Sequence, residues 1–527
     1  MTSIGIDLGT TNSAASKVIG DREEILDLEG DRTTRSAVTF EPGGDEVIVG
    51  NSAVEYLETD PDKTITSIKR HMGKDDYSVS IDADYTKTEY QPEEISSLIL
   101  QKIVEGAKGS IGERPESAVI TIPADFPESA RSATKQAAEI AGLDPLRLLP
   151  EPTAACVAYG LRDRDEDLER VAVYDLGGGT FDISIVDVAH EEDFYDVVAT
   201  DGRQELGGDD FDEAVVDWVV DQFEEDTGID LTDDHTAMYR IRSKVKKAKE
   251  TLSSADSESI RAAHIKPGEN LEQELTREKF EELTGGLVEE TIEISENILE
   301  KQGMTTDDID TVLLVGGSTK MPQVKEAVEE FFGQEPSQEV NPNEAVAVGA
   351  GIYANSLDGG LEDPDDDPDG GLPSPDVGNV VPDDIGIKLA SGKIDTIIHE
   401  NDSLPVRQRE VGEYTTVEDG QTRARVKIFE GKGDTIDDDE LELKSEFVLE
   451  NIREAPAGEP DITVELELDE DGILTAHAWD ESVVDGEVED PDDLAEAGSN
   501  EASIDIESED STSIDFEAVR EELPSVR

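Results

Sequence analysis

The sequence predicts an α/β region followed by a β-sandwich and an acidic tail. From residue 1 to about 354, short apolar runs alternate with amphipathic stretches, as in α/β proteins. Residues 385–480 instead contain short alternating runs separated by turn dipeptides, which is typical of antiparallel sheets. The length of 527 residues exceeds what one hydrophobic core usually organises, so more than one domain is expected.

The first region, 1–354, contains both kinds of element. Apolar runs predict strands at 118–122, 171–174, 183–186 and 312–315. Apolar residues at helical spacing predict helices at 94–108, 129–141, 211–224, 276–302 and 322–332. This alternation predicts a compact, enzyme-like domain.

The composition changes after residue 354. Residues 355–384 are rich in Asp, Pro and Gly, which predicts an extended, self-repelling linker. In 385–480, the dipeptides Asp419-Gly420 and Asp471-Gly472 separate short strands, which predicts the sandwich. Residues 481–527 are acidic and lack a useful apolar stripe, so we expect a disordered tail with at most one strand near 502–506.

The charge is strongly negative throughout the chain. There are 130 acidic and 44 basic residues, giving a net charge of −86. This excludes nucleic-acid binding through a basic surface and favours a protein of a salt-rich cytoplasm, where such charge is screened. An ordinary acidic protein is the alternative. We expect no membrane segment and no targeting leader, and the single cysteine, Cys156, lies in an apolar run that predicts a buried thiol.

Three glycine-rich turns follow predicted strands, and they are the main functional signal. They are residues 6–13 (IDLGTTNS), 174–182 (YDLGGGTFD) and 313–320 (LLVGGSTK). Glycine lets backbone N–H groups approach phosphate oxygens, and a strand-end aspartate can hold hydrated Mg²⁺. One such turn alone is more often structural. Two Asp-Leu-Gly turns, however, predict an internal duplication with two phosphate-binding hairpins facing each other.

Together with residues 149–155 (LPEPTAA) and 206–212 (LGGDDFD), these turns resemble the signatures of DnaK-type chaperones of the heat shock protein 70 family, in the same order. The resemblance is strong over 1–354, weaker over 385–480, and absent afterwards. It implies an actin-like ATPase domain of duplicated α/β halves, followed by a β-sandwich that binds peptides. The implied function is ATP-dependent chaperone activity in protein folding and stress response.

The resemblance also assigns roles to individual residues. It implies a catalytic set of Lys69, Glu151, Asp175, Thr180 and Asp182, with Asp7, Asp175 and Asp182 around Mg²⁺, held through water. The residues implied to contact ATP or ADP are Gly9, Thr10, Thr11, Asn12, Gly177, Gly178, Gly179, Gly207, Gly208, Lys249, Ser253, Gly316, Gly317, Ser318 and Lys320. K⁺ is a further expected cation. Without the resemblance, Lys69 would be read as an ordinary solvated lysine.

Some positions depart from the family pattern. Lys246 stands where the family usually has a ribose-binding glutamate, and Glu250 where it often has a basic residue. Lys320 replaces an arginine that usually stacks on the adenine, so base affinity is expected to be lower. The lysines at 246, 247 and 249 predict either a nearby anion or simple pairing with glutamates on a helix.

Pro123 and Arg131 match the residues that relay the nucleotide state to the partner domain, although Pro123 could also simply end a strand. In the sandwich, Ala390, Val417 and Ala424 fall where residues of the peptide groove would lie. They could equally be core residues of the inner face. The family's apolar linker survives only as residues 380–382, and the helical lid after the sandwich is missing from the pattern.

The expected partners are unfolded or extended polypeptides, with J-domain and nucleotide-exchange cochaperones, and neither nucleic acid nor membrane. Two alternatives remain at this point. One is an actin-fold ATPase whose sandwich is a dedicated partner-recognition module, because the linker and lid both depart from the family. The other is a small-metabolite phosphotransferase, which lacks support because no separate sugar-binding insert is apparent.

Overall fold

A computed structural model gives the structure of this chain. It describes residues 2–526 except 21, 29, 42–45, 59, 61–62, 75, 82–86, 161–167, 191–192, 338–340, 359–374, 434, 437, 439–440, 451, 482–501 and 506–515. The chain forms two compact units. Unit 1 contains residues 1–125, 133–377 and 516–527, and unit 2 contains 126–132 and 378–515.

The first part of unit 1 is a mixed sheet with helices. Its elements are β1 (Ser3–Asp7), β2 (Asn12–Ile19), β3 (Arg22–Ile25), β4 (Thr34–Arg35), β5 (Ala37–Phe40), β6 (Glu46–Val49), α1 (Asn51–Val54), β7 (Thr64–Thr66), β8 (Val79–Ser80), β9 (Glu89–Tyr90), α2 (Pro92–Ile111), β10 (Ser117–Ile122), α3 (Glu128–Ala141) and β11 (Asp144–Pro150). The main sheet has the order β11-β10-β1-β2-β3, and β5, β6 and β7 belong to a smaller sheet.

The second part of unit 1 repeats this plan. Its elements are α4 (Glu151–Gly160), β12 (Leu168–Leu176), β13 (Phe181–Ala189), β14 (Phe194–Arg203), α5 (Gly208–Thr227), α6 (His235–Leu252), β15 (Ser257–Lys266), β16 (Glu269–Thr276), α7 (Arg277–Lys301), β17 (Thr311–Val315), α8 (Pro322–Phe332) and α9 (Ala345–Leu357). Within this unit the sheet runs β17-β12-β13-β14.

The two halves share one strand arrangement. Strand β1 is parallel to β10 and antiparallel to β2, and β12 is likewise parallel to β17 and antiparallel to β13. Both central strands are apolar and buried almost throughout, as expected for strands covered on two faces. Each hairpin therefore carries its Asp-Leu-Gly turn at the same end of a sheet. This is the duplication that the sequence predicts.

Unit 2 is built mainly from strands. They are β18 (Asp376–Val380), β19 (Ile385–Lys388), β20 (Ile394–Ile398), β21 (Ser403–Leu404), β22 (Val406–Tyr414), β23 (Arg423–Gly431), β24 (Leu441–Glu450), β25 (Ile462–Leu468), β26 (Leu474–Asp480) and β27 (Ala502–Asp505). Two four-stranded sheets have the orders β20-β19-β23-β24 and β22-β25-β26-β27. Apolar side chains from both sheets form one core, including Ile428 and Leu466. This is a β-sandwich.

Two boundaries differ from the predictions. Helix α9 continues to Leu357 and β18 begins at Asp376, so the predicted linker of 355–384 is structured at both ends, and 359–374 lie outside the described residues. Val381 of the apolar remnant is buried in the sandwich core, which explains why this end is ordered.

The predicted tail differs more. Beyond β27, the structure contains α10 (Phe516–Glu522) and β28 (Ser525–Val526), and both belong to unit 1. Long-range contacts therefore order a segment whose local composition is typical of disorder. The rest of the predicted tail, 482–501 and 506–515, lies outside the described residues.

Within the described ranges, no helix is long and apolar enough to cross a membrane.

Candidate active site

The first hairpin places Asp7 at the end of β1. Thr121, on the neighbouring β10, donates a hydrogen bond from Oγ1 to Asp7 Oδ1 over 3.4 Å. The turn that follows is fixed by Ser36, whose hydroxyl donates to the Gly9 carbonyl over 2.6 Å. Residues 9–12 are thus held at the open end of the sheet.

The second hairpin places two carboxylates side by side. Asp175 on β12 and Asp182 on β13 are directly opposite each other in the strand register, and both are buried. The turn between them is closed by a 3.0 Å hydrogen bond from Gly177 N to the Thr180 carbonyl. Gly316 approaches this hairpin with a φ of +83°, and a Cβ there would lie 2.3 Å from the Leu176 carbonyl oxygen. Only glycine fits this position without backbone movement.

A buried ion pair lies at the same site. Lys69, in the short 3₁₀ turn Ile68–His71, places Nζ 2.5 Å from Oε1 of Glu151, the first residue of α4. The two side chains are only 7% and 12% exposed. A buried pair of this kind loses much hydration, so it is weak evidence of a role in stability and better evidence of a role in function.

The hairpins and the ion pair surround one cavity of about 180 Å³. The predicted site residues that line it are Asp7, Gly9, Thr10, Thr11, Asn12, Lys69, Glu151, Asp175, Gly177, Gly178, Thr180, Gly316 and Gly317. Asp182 lies behind this lining and is 1% exposed. Sequence positions separated by more than 300 residues are thereby brought together.

The carboxyl groups perturb one another. Burial, and then the charge of Glu151, raise the pKa of Asp7 to about 7 and that of Asp182 to about 7. The same two causes, with Asp182 and Asp7, raise the pKa of Asp175 well above its usual value. The positive charge of Lys69 lowers each of these three pKa values, but by less than burial and the neighbouring carboxylates raise them. A site crowded with carboxyl groups in this way favours a bound cation.

The residues fit a hydrated magnesium ion. Oδ2 of Asp182 is buried and has no hydrogen-bond partner in the structure. Among the described residues, no three acidic, histidine or cysteine side chains are arranged to ligate a metal directly. Mg²⁺ usually keeps several of its waters, so carboxylates that reach it through water match its chemistry.

Comparison with known proteins identifies the family of this chain. The family model described as "Hsp70 protein" matches residues 3–517. The chain belongs to the Hsp70 family. Chaperone protein DnaK from Halobacterium salinarum, strain ATCC 29341 / DSM 671 / R1, is 43% identical over 483 residues, or 91% of this chain and 73% of the relative. DnaK from strain ATCC 700922 / JCM 11081 / NRC-1 of the same organism gives the same values.

Membership confirms the predicted fold, an actin-like ATPase domain followed by a β-sandwich. It also confirms the main functional prediction over the alternatives. This Hsp70 is an ATP-dependent molecular chaperone that binds and hydrolyses ATP. DnaK-like chaperones bind unfolded polypeptides.

The predicted nucleoside residues of this Hsp70 lie beside the second hairpin. Lys249 is buried, and Nζ lies 3.0 Å from Asp212 Oδ1 and also donates to the Gly208 carbonyl. Ser318 donates from Oγ to the Gly177 carbonyl over 2.7 Å, which ties the third glycine turn to the second. Lys249 pairs with an aspartate on α5, so its positive charge is compensated before any anion binds.

The remaining predicted nucleotide residues lie around this group. Gly207 is the N-cap of α5 and Gly208 is its first residue, and Gly208 N donates to the Gly177 carbonyl over 3.0 Å. Gly179 accepts a hydrogen bond through its carbonyl from a neighbouring arginine. Ser253 lines a small adjoining pocket together with Lys249. Lys320 ends the turn Gly317–Lys320 and is exposed.

A larger cleft of about 880 Å³ adjoins the cavity. It is lined by Thr10 and Thr11 and also by Lys246 and Glu250, two positions that depart from the family pattern. Lys246 Nζ lies 3.4 Å from Asp209 Oδ1. Although burial raises it, the charge of Lys246 and a hydrogen bond from Ser67 bring the pKa of Asp209 below its usual value. Lys246 and Lys249 of the lysine cluster therefore pair with aspartates of α5.

The predicted relay residues are both buried. Pro123 directly follows β10, where it ends the strand. Arg131 is 2% exposed and donates from Nε to the Phe126 carbonyl over 2.8 Å. Its Nη1 donates to the Asp471 carbonyl over 3.2 Å, within unit 2.

The three predicted groove residues lie on separate elements of unit 2. Ala390 follows β19 and is exposed, and Val417 lies between β22 and β23 with 65% of its surface exposed. Ala424, on β23, packs against the sandwich core. Its position matches the alternative interpretation as a core residue.

Sequence reasoning missed Arg70, which follows the predicted Lys69. Its Nη2 donates to the Gly179 carbonyl over 2.9 Å and to Asp210 Oδ2 over 2.7 Å. It therefore links the second glycine turn to the start of α5. The available signal was an arginine next to a predicted catalytic lysine in a chain that has few basic residues.

Proposed function

We propose that this Hsp70 hydrolyses ATP in the cavity between hairpins β1–β2 and β12–β13. The main support is that buried Lys69 and the carboxyl groups of Asp7, Glu151 and Asp175 line one cavity together with residues of all three glycine turns. Asp182 is buried directly opposite Asp175 in the strand register. Phosphoryl transfer to water depends mostly on positioning and on charge stabilisation. This arrangement supplies both.

Asp7, Asp175 and Asp182 would hold Mg²⁺ through its waters. The support is their crowding, the raised pKa values and the unpartnered oxygen of Asp182. Bound Mg²⁺ neutralises charge on the phosphates. K⁺ is proposed as a second cation on the resemblance alone.

The turns at residues 9–12 and 177–179 would direct backbone N–H groups at the phosphates, as glycine-rich turns do elsewhere. Thr10, Thr11 and Thr180 line the same cavity and add hydroxyl donors. The adjoining residues Lys249, Ser253, Gly316, Gly317, Ser318 and Lys320, with Gly207 and Gly208, would contact the nucleoside of ATP or ADP. Glycine is needed at Gly207 and Gly316 because backbone segments pack closely there. A Cβ at Gly207 would lie 2.6 Å from Gly179 N, and one at Gly316 would lie 2.3 Å from the Leu176 carbonyl oxygen.

Lys69 would point its ammonium group at the γ-phosphate, and Glu151 would order the attacking water. The 2.5 Å contact between them keeps the ammonium group inside the cavity rather than in solvent. When phosphate enters, Lys69 can exchange one anionic partner for another. Glu151 is then left free to accept a hydrogen bond from water.

We propose the domain assignment 1–354 for ATP hydrolysis, 385–480 for peptide binding and 481–527 as an acidic extension that ends in α10 and β28. The linker function is assigned to the part of the predicted 355–384 that lies between α9 and β18. Pro123 and Arg131 would relay the nucleotide state. The buried guanidinium of Arg131, which bonds to the Asp471 carbonyl, supports a role in unit 2.

The sandwich would bind extended polypeptide segments near Ala390, Val417 and Ala424, with J-domain and nucleotide-exchange proteins as cochaperones. Val417 offers apolar surface that folding has left uncovered. The segment that would follow the sandwich as a lid is acidic and lacks apolar periodicity. We therefore propose weak binding with fast exchange, because affinity differences usually appear in the off-rate.

The cytoplasm of a salt-rich cell is the proposed location. The support is the net charge of −86 together with relatives from the halophile Halobacterium salinarum.

The ATPase assignment is tested with Asp175→Asn, which keeps the shape of the side chain and removes its charge. Steady-state ATP hydrolysis should fall at least tenfold, and the Mg²⁺ concentration for half-maximal rate should rise. Asp226→Asn, at an exposed position of α5, is the matched control and should behave as wild type. Unchanged turnover in Asp175→Asn would overturn the assignment.

The peptide site is tested by stopped-flow release of a fluorescent hydrophobic peptide. Release should be complete within seconds, and Val417→Ser should weaken binding several-fold. Val411→Ser changes another exposed valine, on β22, and serves as the control. Release over many minutes, or equal effects of both substitutions, would contradict the proposal.

A further inference from the structure

The segment 516–526 returns to unit 1 and completes one of its sheets. Strand β28 pairs in parallel with β6, with Ser525 opposite Glu46 and Val526 opposite Val47. The sheet has the order β28-β6-β5-β7, so β6 would be its edge without β28. Val47 is fully buried. An edge strand at that position offers unpaired backbone groups to any extended segment.

A second contact fixes the same segment at the end of helix α3. Arg520, on α10, donates from Nη2 to the Glu139 carbonyl over 2.9 Å and from Nε to the Ile140 carbonyl over 2.5 Å. These two carbonyls lie in the last turn of α3, at the negative end of the helix dipole, and the Glu139 carbonyl also accepts from Gly142 N over 2.9 Å. A guanidinium group with several donors is well suited to them.

The rest of this helix end is adapted to an incoming arginine. Arg114 already takes the next two carbonyls, donating to Ala141 and Gly142 over 3.2 Å each. Gly142 has a φ of +81°, and a Cβ there would lie 2.7 Å from Arg520 Nη1. Arg520 therefore adds donors to two carbonyls of this helix end and occupies the space beside Gly142.

Apolar contacts complete the attachment. Leu523, between α10 and β28, is only 9% exposed, and the following Pro524 is also buried. Helix α2 contacts β28. The segment thus combines three kinds of contact: strand pairing, a cap on a helix end, and a buried leucine.

We propose that the edge of β6 and the carboxyl end of α3 form a peptide-docking site on the ATPase unit, and that residues 516–526 are its tethered ligand. The ligand class is a short peptide with an arginine on a helical turn, followed by Leu-Pro and a two-residue strand. This site is separate from the nucleotide cavity and from the sandwich. Its ligand is connected through 506–515, so docking is favoured by a high effective concentration.

The test keeps the chain whole while it folds. A sequence-specific protease site replaces part of 506–515, the folded protein is cut, and a fluorescent peptide of residues 515–527 is added. The cut protein should take up this peptide, whereas the uncut protein should bind it at least tenfold more weakly because its site is filled. The matched peptide with Arg520→Ala should bind at least tenfold more weakly than the wild-type peptide.

Two controls separate this site from the others. Saturating nucleotide and an excess of an unrelated hydrophobic peptide should leave uptake unchanged, since they occupy the cavity and the sandwich. The cut wild-type segment can also remain bound to the protein during gel filtration. In that case, release of the segment from a cut Arg520→Ala protein on the same column supports the proposal equally. Equal behaviour of the wild-type and Arg520→Ala segments, or displacement by the unrelated peptide, would overturn the proposal.

Hydrogen exchange in the uncut chain gives an independent reading. Arg520→Ala should accelerate exchange of the β6 amides at least tenfold while the amides of β12 stay protected. Unchanged protection of β6 would show that the arginine does not hold the segment and would contradict the proposal.

Discussion

Lys69 and Glu151 meet inside the nucleotide cavity, with Nζ and Oε1 2.5 Å apart and neither side chain more than 12% exposed. After burial, the charge of the same glutamate is the next cause of the raised pKa values of Asp7, Asp175 and Asp182. One carboxylate thus holds the lysine in place and also makes the site receptive to a cation.

Glu151→Gln should lower the rate of ATP hydrolysis at least tenfold with little change in nucleotide affinity. The amide oxygen can still accept from Lys69, but it cannot order water as a carboxylate does. Single-turnover hydrolysis and equilibrium binding of ADP measure the two effects. A large loss of ADP binding with unchanged hydrolysis would contradict the assigned role.

Asp182→Asn should raise the stability of the metal-free protein at pH 8 by about 1 kcal/mol or more. The sign follows from the raised pKa: the charged form of Asp182 is disfavoured in the folded state, and that penalty is fully present above pH 7. Thermal unfolding with and without Mg²⁺ and ADP measures it. Mg²⁺ and ADP should raise the melting temperature of wild type more than that of Asp182→Asn. A larger rise for Asp182→Asn would contradict the cation site.

Glu128→Gln should flatten the pH dependence of stability. Burial, and then the charge of Glu430, raise the pKa of Glu128 to about 7. Lys444 Nζ lies 2.9 Å from Glu430 Oε2, and its charge also partly offsets the raised pKa of Glu128. One lysine therefore faces two buried carboxyl groups. The folded state holds the Glu128 proton more tightly than the unfolded state does, and stability should therefore fall as pH rises from about 4.5 to 7.

Wild type should lose about 1–3 kcal/mol of stability across this pH window relative to Glu128→Gln. Chemical denaturation at pH 5, 6, 7 and 8 measures the difference. Glu326→Gln, at an exposed position of α8, is the matched control and should follow wild type. Parallel curves for wild type and Glu128→Gln would show that this carboxyl group is not perturbed.

The fold should depend on salt. A net charge of −86 repels itself over a Debye length of about 30 Å at 10 mM salt, compared with roughly 3 Å at 1 M. The melting temperature measured by circular dichroism should rise steeply between these concentrations. Sucrose at equal osmolarity controls for general solvent effects, and an unchanged melting temperature in 10 mM salt would contradict the prediction.

In 1–354, the sequence predicted strands from continuous apolar runs and helices from apolar residues at helical spacing. The run at 118–122 lies in β10, and the helix predicted at 129–141 is α3, which begins one residue earlier. Helix α9 was missed because it is apolar on all sides, so it lacks an amphipathic pattern. A short apolar run still predicts a buried strand, as in β10, but a helix that is apolar on all sides lacks the spacing that predicts a helix.

The candidate site could be predicted only where glycine turns mark it. Asp7 and Asp175 each stand before such a turn, so the sequence alone pointed to both. Lys69 and Glu151 are 82 positions apart in the sequence. Their pairing depends on how the 3₁₀ turn that contains Lys69 packs near the start of α4, and no local pattern predicts it. The return of residues 516–526 was missed for the same reason, because its partners β6 and α3 are distant in sequence.

Single-turnover hydrolysis by Lys69→Ala tests the central claim most directly. If the cavity between the two hairpins is the ATPase site and Lys69 stabilises charge in the transition state, hydrolysis should fall by about 10²-fold or more while nucleotide still binds measurably. Lys325→Ala, an exposed position on α8, should hydrolyse ATP at the wild-type rate. Wild-type hydrolysis by Lys69→Ala would contradict the account.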